Sequence, residues 1–398
     1  MSSISLINRI KYSKTLYRLF CFFGNISIKL LSLFIRKDKN LILFVSFGGR
    51  KYDDSPRCIF EKMVLDKNFD NYKLVWAFIN PKQHKVDSRA EIIKIDTLKY
   101  FVTCLKARVW ITNSAITRGL SFKSNWTFYL NSWHGSPIKK MGEDINQGNS
   151  SFKSHGRNLI DVMLSQSSFE AQIFSRVFNI PYENFRVYGL PRNDELVSRN
   201  NDNEINRIKS ILDIPQDKKV LLYAPTFREY IKDSNSNCVI YPPINFNKWQ
   251  RILGDKYIIL FRAHYEVVKV MDVQYDNFVK DVSQYPNLNE LMLISDTLIS
   301  DYSSIFFDYS ILGKPMLCFA YDFDEYASKR GLYFDIRKCL SNENIENEDD
   351  LLDAICNLDM AESIRLSKEF RKKYVQEYGE ATDKTINEIL KNLTSDRA

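Results

Sequence analysis

Acidic residues are absent from the first 37 positions of this 398-residue chain. The same segment holds seven basic residues: Arg9, Lys11, Lys14, Arg18, Lys29, Arg36 and Lys37. The formal net charge is +7, and the other 49 Lys and Arg balance the 49 Asp and Glu, so the chain after Lys37 is formally neutral. Nucleic-acid binding needs a broad basic surface on the folded part of a protein, and this distribution argues against it.

Several chemical signatures are missing as well. The seven cysteines are odd in number and never show C-x-x-C spacing, which excludes an evident disulfide framework or zinc site and indicates a reducing cytosol. No G-x-G-x-x-G, Walker A, G-x-S-x-G or H-E-x-x-H motif is present, and only four histidines occur. Ordinary dinucleotide, P-loop and metal sites are therefore not expected.

Residues 1–39 combine their cations with many bulky apolar side chains. The longest uncharged run, Leu19–Ile28, has ten residues, whereas a membrane-spanning helix needs about 20. A basic amphipathic segment of this kind is typical of peripheral attachment to an anionic cytoplasmic leaflet. Two alternatives are a helix that packs on the protein with its cations in water, and a cleaved or spanning segment.

Two successive series of short apolar runs, separated by segments of helical character, predict two doubly wound α/β units with parallel sheets. We place the units at residues 40–200 and 201–398, with a linker or surface helix over Ser198–Ser210 and a closing helix around Glu362–Leu393. Ligands bind beyond the carboxyl ends of such strands, so a cleft between the units is the expected site. The predicted strands are Leu41–Phe47, Lys73–Ile79, Glu91–Ile95, Arg108–Thr112, Thr127–Ser132, Asp161–Ser165, Arg186–Tyr188, Lys219–Ala224, Tyr257–Arg262, Asn277–Asp281, Thr297–Ser300 and Pro315–Phe319.

His134 follows one of these strands, and Gly135 and Pro137 force a turn after it. A histidine at a strand end is a reasonable general base because its pKa lies near working pH. Lys139 and Lys140 follow and could hold a phosphate-bearing acceptor. The alternative is a histidine whose ring only bonds a loop carbonyl.

Arg262 and His264 stand two residues apart at another strand end, so both side chains point the same way on an extended chain. Together they could bind one phosphate, and His264 could also protonate a leaving oxygen. A solvated pair of cations is the alternative.

The stretch from Asp301 to Asp308 follows the strand Thr297–Ser300 and opens a helix, with Ser303 or Ser304 as its N-cap. This pattern predicts an anion site, and Asp308 could reach a ribose hydroxyl. Ordinary helix capping is the alternative.

Two further strand-end loops carry polar groups. One contains Thr226 and Arg228, and the other contains Arg192 within the run from Gly189 to Asp194. Each is a weak signal alone, but their common position at strand ends supports a shared site.

Together these motifs resemble the CDP-glycerol glycerophosphotransferases of teichoic acid and capsule synthesis. The resemblance covers about residues 105–340 in the family's order. One departure is Tyr265, where the family usually has Pro. The matching stretches are Trp133–Pro137 with Lys139, Lys140 and Gly142; Gly189–Asp194; Ala224–Arg228; Arg262–His264; Ser300–Ser304 through Asp308 to Lys314–Pro315; and Tyr326 to Gly331–Asp335.

The resemblance implies a GT-B fold, with two Rossmann-like domains facing a cleft: an N-terminal acceptor domain at 40–200 and a C-terminal CDP-alditol-binding domain at 201–398. It implies transfer of glycerol phosphate or ribitol phosphate from CDP-glycerol or CDP-ribitol to a hydroxyl of a lipid-linked saccharide or polyol-phosphate acceptor, with release of CMP. No bound cofactor or metal is expected, the enzyme would be peripheral on the cytoplasmic face, and a homo-oligomer is left open. The implied catalytic residues are His134 and His264, and the implied substrate-binding residues are Gly135, Lys139, Lys140, Arg192, Thr226, Arg228, Arg262, Asp301, Ser303, Ser304 and Asp308.

Two other functional hypotheses remain at this point. One is a GT-B glycosyltransferase that uses a nucleotide sugar in cell-surface polysaccharide synthesis. The other is a membrane-docked protein that binds a nucleotide without turning it over.

Overall fold

Continuous apolar runs form the strands of two parallel sheets. Such strands are apolar along their length because both faces of a parallel sheet are buried. The computed structural model describes residues 13–145, 159–226, 228, 238–240, 243–263, 267–270 and 275–394. Within this range the chain has an α/β fold divided into two compact units. Among the described residues, unit 1 comprises those within 13–134, 142–192 and 380–394, and unit 2 comprises those within 135–141 and 193–379.

Unit 1 contains a seven-stranded parallel sheet in the order β3-β2-β1-β4-β5-β6-β7. The order in which strands are added reverses between β1 and β4, which makes this the topological switch point where ligands bind in such sheets. The strands are β1 (Asp38–Val45), β2 (Lys73–Phe78), β3 (Ala90–Lys94), β4 (Ala107–Thr112), β5 (Phe128–Asn131), β6 (Val162–Ser165) and β7 (Phe185–Val187).

Unit 2 contains a five-stranded parallel sheet in the order β12-β10-β8-β13-β14, with its switch point between β8 and β13. Its strands are β8 (Lys219–Tyr223), β10 (Tyr257–Phe261), β12 (Val279–Asp281), β13 (Thr297–Ser300) and β14 (Met316–Cys318). Every predicted strand overlaps an observed one. A separate two-stranded parallel sheet, β9 (Cys238–Ile240) and β11 (Val267–Val270), was not predicted.

Helices connect the strands. In unit 1 they are α1 (Lys14–Ser32), α2 (Asp54–Leu65), α3 (Leu98–Lys106) and α4 (Ser168–Phe178). In unit 2 they are α5 (Glu195–Ser198), α6 (Asp202–Ile211), α7 (Phe246–Leu253), α8 (Leu288–Ile294), α9 (Ile305–Ser310), α10 (Phe323–Arg330), α11 (Ile336–Leu340), α12 (Glu348–Cys356) and α13 (Met360–Tyr374). The last helix, α14 (Ala381–Thr394), belongs to unit 1.

The carboxyl-terminal helix differs from the prediction. The single helix expected around Glu362–Leu393 is broken between α13 and α14, where Gly379 has a φ of 88°. The helix α14 buries Ile386 and Ile389 in the core of unit 1, and Lys62 bonds Asp383 at 2.7 Å. Residues 201–398 therefore do not form one compact unit, because the apolar face of α14 completes the core of unit 1.

The amino-terminal helix α1 has two different faces. On one face, Ile28 is buried against Leu105 and Leu120. The other face exposes seven large apolar side chains, and two more follow the helix directly: Leu16, Leu19, Phe20, Phe22, Phe23, Ile26 and Leu30 in α1, then Leu33 and Phe34. By length and composition alone, Thr15–Leu33 could also cross a membrane. The sequence argues against a spanning helix, because the longest uncharged run has only ten residues and about 20 are needed.

Candidate active site

Three loops meet at the switch point of the unit 1 sheet. They follow β1, β4 and β5, and the buried side chain of Asn113 joins the first two. Its Oδ1 accepts a hydrogen bond from the backbone N–H of Phe47 at 2.7 Å, and Ser114 Oγ accepts from Gly48 N–H at 2.9 Å. The loops are therefore fixed by side chains that directly follow β4.

His134 belongs to the third of these loops, and its ring is oriented by the loop after β4. Its Nδ1 lies 2.6 Å from the backbone oxygen of Asn113. A carbonyl oxygen can only accept, so the neutral imidazole carries its proton on Nδ1 and leaves the lone pair on Nε2. The ring stacks on Trp133 at 4.3 Å and still reaches solvent. This is the tautomer that a general base requires.

The electrostatic surroundings of His134 favour the neutral ring. Burial lowers the pKa of His134 below its ordinary value, and the nearby Arg192 guanidinium acts in the same direction. The Asn113 carbonyl and Asp54 act in the opposite direction but do not reverse the shift. His134 is therefore uncharged at neutral pH.

Backbone strain is concentrated around this histidine. Phe47, Asp54 and Trp133 have φ values of 47°, 64° and 52°, in the left-handed region that non-glycine residues rarely adopt. Such conformations persist where the surrounding structure enforces them, and they cluster at functional sites.

Arg192 is held beside the same loops. Its Nη1 lies 3.2 Å from Asp54 Oδ2, and the two side chains are only 13% and 6% exposed. The backbone N–H of Arg192 also donates to Ser55 Oγ at 3.4 Å. The start of α2 thus positions Arg192, and sequence reasoning missed Asp54 because α2 had not been recognised as part of the site.

The switch point of the unit 2 sheet is built around a buried ion pair. Asp301 follows β13 and accepts from Thr226 N–H at 2.9 Å. The guanidinium of Arg228 lies 2.9 Å from Asp301 and 2.7 Å from Asp322, and it is 3% exposed. Burial opposes the charged form, but the two carboxylates outweigh it and raise the pKa of Arg228.

Aromatic rings complete this buried cluster. Tyr302 stacks on Tyr326 at 3.8 Å, and Arg228 lies over both rings at about 5 Å. Tyr302 also donates to Asp322 at 3.0 Å. Arg228 and Asp301 were predicted to bind substrate. Their charged atoms are committed to protein partners, so we assign them a positioning role instead.

Two buried polar groups at the switch points have no hydrogen-bond partner among the described residues. They are Asn113 Nδ2 in unit 1 and Thr226 Oγ1 in unit 2. Buried polar groups without a partner cost about 1–3 kcal/mol, and natural proteins keep few of them. Thr226 therefore remains a good candidate for contact with a ligand.

The loop after His134 packs within unit 2. A Cβ added to Gly135 would lie 2.9 Å from Ser304 Oγ, so the absence of a side chain lets the two residues approach closely. Ser303 Oγ accepts from Ile305 N–H at 3.3 Å, whereas Ser304 makes no side-chain capping bond. The structure thus brings two predicted motifs together through Gly135 and Ser304.

The two predicted lysines lie on an extended segment of unit 2. Lys139 forms an antiparallel bridge with Leu332, and Lys140 N–H donates to the Gly331 carbonyl at 3.0 Å. Gly331, with a φ of 70°, leaves room for the methylene groups of Lys140. These backbone bonds join two of the motifs noted in the sequence.

Two other residues that were predicted to bind substrate, Asp308 and Arg262, form hydrogen bonds with protein groups. Asp308 is buried and accepts from Asn193 Nδ2 at 2.7 Å, which does not fit its predicted contact with a ribose. Arg262 donates from Nη1 to the carbonyls of Val282 and Tyr285, both at 2.9 Å. His264 lies outside the described residues. Among the described residues, no group of three His, Cys, Asp or Glu side chains could hold a metal ion.

Both the sequence and the fold are similar to those of known proteins. The sequence model of the family described as CDP-glycerol:poly(glycerophosphate) glycerophosphotransferase matches residues 27–391. A teichoic acid glycerol-phosphate transferase of Staphylococcus aureus is 34% identical over 89% of this chain and 94% of its own. A teichoic acid poly(glycerol phosphate) polymerase of Staphylococcus epidermidis is 38% identical over 73% of this chain, which spans only 42% of that relative's length.

A solved structure shows the same fold. The wall teichoic acid polymerase TagF matches with a TM-score of 0.82 and 31% identity, over 97% of this chain and 98% of that one. Sequence and structure therefore point to the same group of proteins.

Proposed function

The chain belongs to the CDP-glycerol:poly(glycerophosphate) glycerophosphotransferase family, and from this we propose that it transfers a polyol phosphate from a CDP-alditol to an acceptor hydroxyl in teichoic acid or capsular polymer synthesis. Within this proposal we choose CDP-glycerol as the donor. The family is described by it, and two similar relatives are named for glycerol phosphate. The acceptor is a lipid-linked saccharide or polyol phosphate.

The observation that carries this proposal is the contact of His134 Nδ1 with the Asn113 carbonyl oxygen, from which its tautomer follows. Because Nδ1 donates to the Asn113 carbonyl at 2.6 Å, Nε2 can take the proton of the attacking hydroxyl. A bond then forms between the acceptor oxygen and the β-phosphorus of the donor. The bond from this phosphorus to the oxygen bridging it to CMP breaks, and its electron pair leaves with CMP.

Negative charge grows on the leaving phosphate, and its stabilisation is the main requirement of phosphoryl transfer. We assign this role to His264 and the hydroxyls of Thr226, Ser303 and Ser304, and a positioning role to Arg262, whose Nη1 donates to two backbone carbonyls. Arg228, Asp301 and Asp308 hold these loops in place. No step is assigned to a metal or cofactor.

The proposal divides the work between the units. Unit 1 would present the acceptor to His134, and unit 2 would bind the CDP-alditol. The similarity of the fold to that of the polymerase TagF supports the assignment of a polyol-phosphate transferase.

We also propose that α1 attaches the enzyme peripherally to the cytoplasmic face of the membrane. Its seven exposed apolar side chains and its lack of acidic residues suit an anionic lipid surface. Replacing Phe22 and Phe23 by Ser should abolish binding to phosphatidylglycerol vesicles without changing turnover of a soluble acceptor. Unchanged vesicle binding would contradict this attachment.

The proposed reaction is tested by the nucleotide that is released. The purified full-length enzyme is incubated with a lipid-linked acceptor and either CDP-glycerol, CDP-ribitol or a UDP-sugar. We expect CMP from a CDP-alditol, with addition of one polyol phosphate mass unit to the acceptor. Release of UDP without CMP would instead show a glycosyltransferase, and binding without turnover would show a non-enzymatic protein.

A further inference from the structure

Cations from two loops of unit 1 lie beside the proposed base without a role in the reaction described above. Arg50 and Lys51 follow the turn after β1, and Arg118 belongs to the loop after β4. No motif drew attention to them in the sequence. Their positions around Gly48 indicate what they could bind.

The two guanidinium groups converge on Gly48. This glycine has a φ of 62°, and a Cβ added to it would lie 3.8 Å from Arg50 Nη1 and 3.9 Å from Arg118 Nη1. Any side chain at this position would occupy the space between the two cations. The glycine therefore keeps that space open.

The orientation of Arg118 is fixed by an ion pair on its other edge. Its Nε and Nη2 donate to the two carboxylate oxygens of Asp96, both at 2.9 Å. Asp96 and Arg118 both adopt left-handed backbone conformations, with φ values of 62° and 57°. The bidentate pair directs the remaining Nη1 toward Gly48, and this atom has no hydrogen-bond partner among the described residues.

A chain of aromatic contacts connects this cluster to His134. Lys51 Nζ lies 5.4 Å from the centroid of the Phe47 ring, and that ring lies 5.6 Å from the imidazole of His134. Lys51 also interacts with the carboxylate of Asp53. Arg50 Nη1 also donates to the Phe47 carbonyl at 3.2 Å, so the other N–H groups of Arg50 and Nη1 of Arg118 are the principal groups for an anion at this position.

We propose that Arg50 and Arg118, assisted by Lys51, form a subsite for a phosphate group of the acceptor. This inference rests on the proposed function, since it assigns the acceptor's position on unit 1. Planar guanidiniums bind phosphate oxygens well. A teichoic acid chain of glycerol phosphate carries a phosphodiester one three-carbon unit from its terminal hydroxyl, so this phosphate accompanies the attacking group to His134.

A phosphate at this site could come from the growing chain or from the diphosphate of a lipid carrier. The contact between Phe47 and His134 favours the growing chain, because its last phosphate is the one nearest the attacking hydroxyl. The subsite would make an acceptor that already carries a polyol phosphate better than an unprimed saccharide.

The experiment compares two acceptors on the same lipid-linked saccharide, one with a terminal glycerol phosphate and one without it. The full-length variants are Arg50→Gln, Arg118→Gln and their double substitution. Lys67→Gln removes an equal charge from an exposed residue between α2 and β2, at the amino-terminal edge of the same sheet. Thermal unfolding checks that each variant is folded.

We expect each arginine variant to raise the KM of the phosphate-bearing acceptor by about 10-fold, with the KM of CDP-glycerol and of the unprimed acceptor unchanged. An arginine variant that behaves like Lys67→Gln would overturn the subsite. Equal increases with both acceptors would place the carrier diphosphate there and overturn the assignment to the chain. Failure of the wild-type enzyme to release CMP would instead reject the underlying reaction.

Discussion

His134 in unit 1 and Arg228 in unit 2 occupy comparable positions, but their environments are opposite. Both lie in loops near a switch point of a parallel sheet. The His134 ring reaches solvent and keeps one nitrogen without a hydrogen-bond partner among the described residues. Arg228 is 3% exposed, and two carboxylates surround it.

The comparison shows that a polar residue at a strand end can serve either chemistry or scaffolding. What separates the two roles is whether its functional atoms are already satisfied by protein groups. His134 has a satisfied Nδ1 that fixes the ring and an Nε2 available to a substrate. Arg228 has its charge neutralised by Asp301 and Asp322, so it orders the loops around it.

The largest effect is expected from removing the proposed base. His134→Ala should lower kcat by about 10²–10⁴-fold, the usual contribution of a general base, and it should leave the Kd of CDP-glycerol unchanged. Steady-state rates of CMP release and calorimetric titration of the donor measure the two quantities. Loss of donor binding in parallel with turnover would assign His134 to binding instead.

The opposite pattern is expected for Arg228. Arg228→Ala leaves Asp301 and Asp322 without their cation and should reduce the free energy of unfolding by about 3–5 kcal/mol. Urea denaturation measures this loss. Arg365→Ala is the matched control, since it removes exposed pairs with Glu362 and Glu369 and should cost less than about 1 kcal/mol. An equal loss of unfolding free energy in the two variants would contradict the scaffolding role of Arg228.

A smaller effect is expected from a substitution of Thr226. It tests whether unit 2 also contains a polar group that is available to bind the donor. Thr226→Val keeps the side-chain shape and removes a buried hydroxyl that has no partner among the described residues. Stability should be unchanged or slightly higher, while the KM of CDP-glycerol should rise about 10-fold. A loss of stability with an unchanged KM would mean that the hydroxyl has a structural role.

Much of the fold could be predicted because the strands are short, apolar and separated by helices. Runs such as Leu41–Phe47 and Arg108–Thr112 read as buried parallel strands, and the strand-end rule indicated His134 and Thr226. The family resemblance rested on motifs at these same ends. These features depend on local sequence alone.

Features that depend on distant partners could not be predicted in the same way. The ion pairs of Arg228 join residues about 75 to 95 positions apart, and α14 returns to unit 1 through its apolar face. Asn113 directly follows β4, so the strand-end rule could have found it. Its carbonyl contact with His134 became visible only once the two loops were placed side by side.

The most direct test of the account is the pH dependence of kcat/KM for CMP release. A base works only when its ring is neutral, and burial lowers the pKa of His134, so activity should persist below the ordinary pKa of histidine and fall only at still lower pH. The residual activity of His134→Ala should lack this acid limb. An acid limb of the same position in the variant would contradict the assignment of His134 as the base.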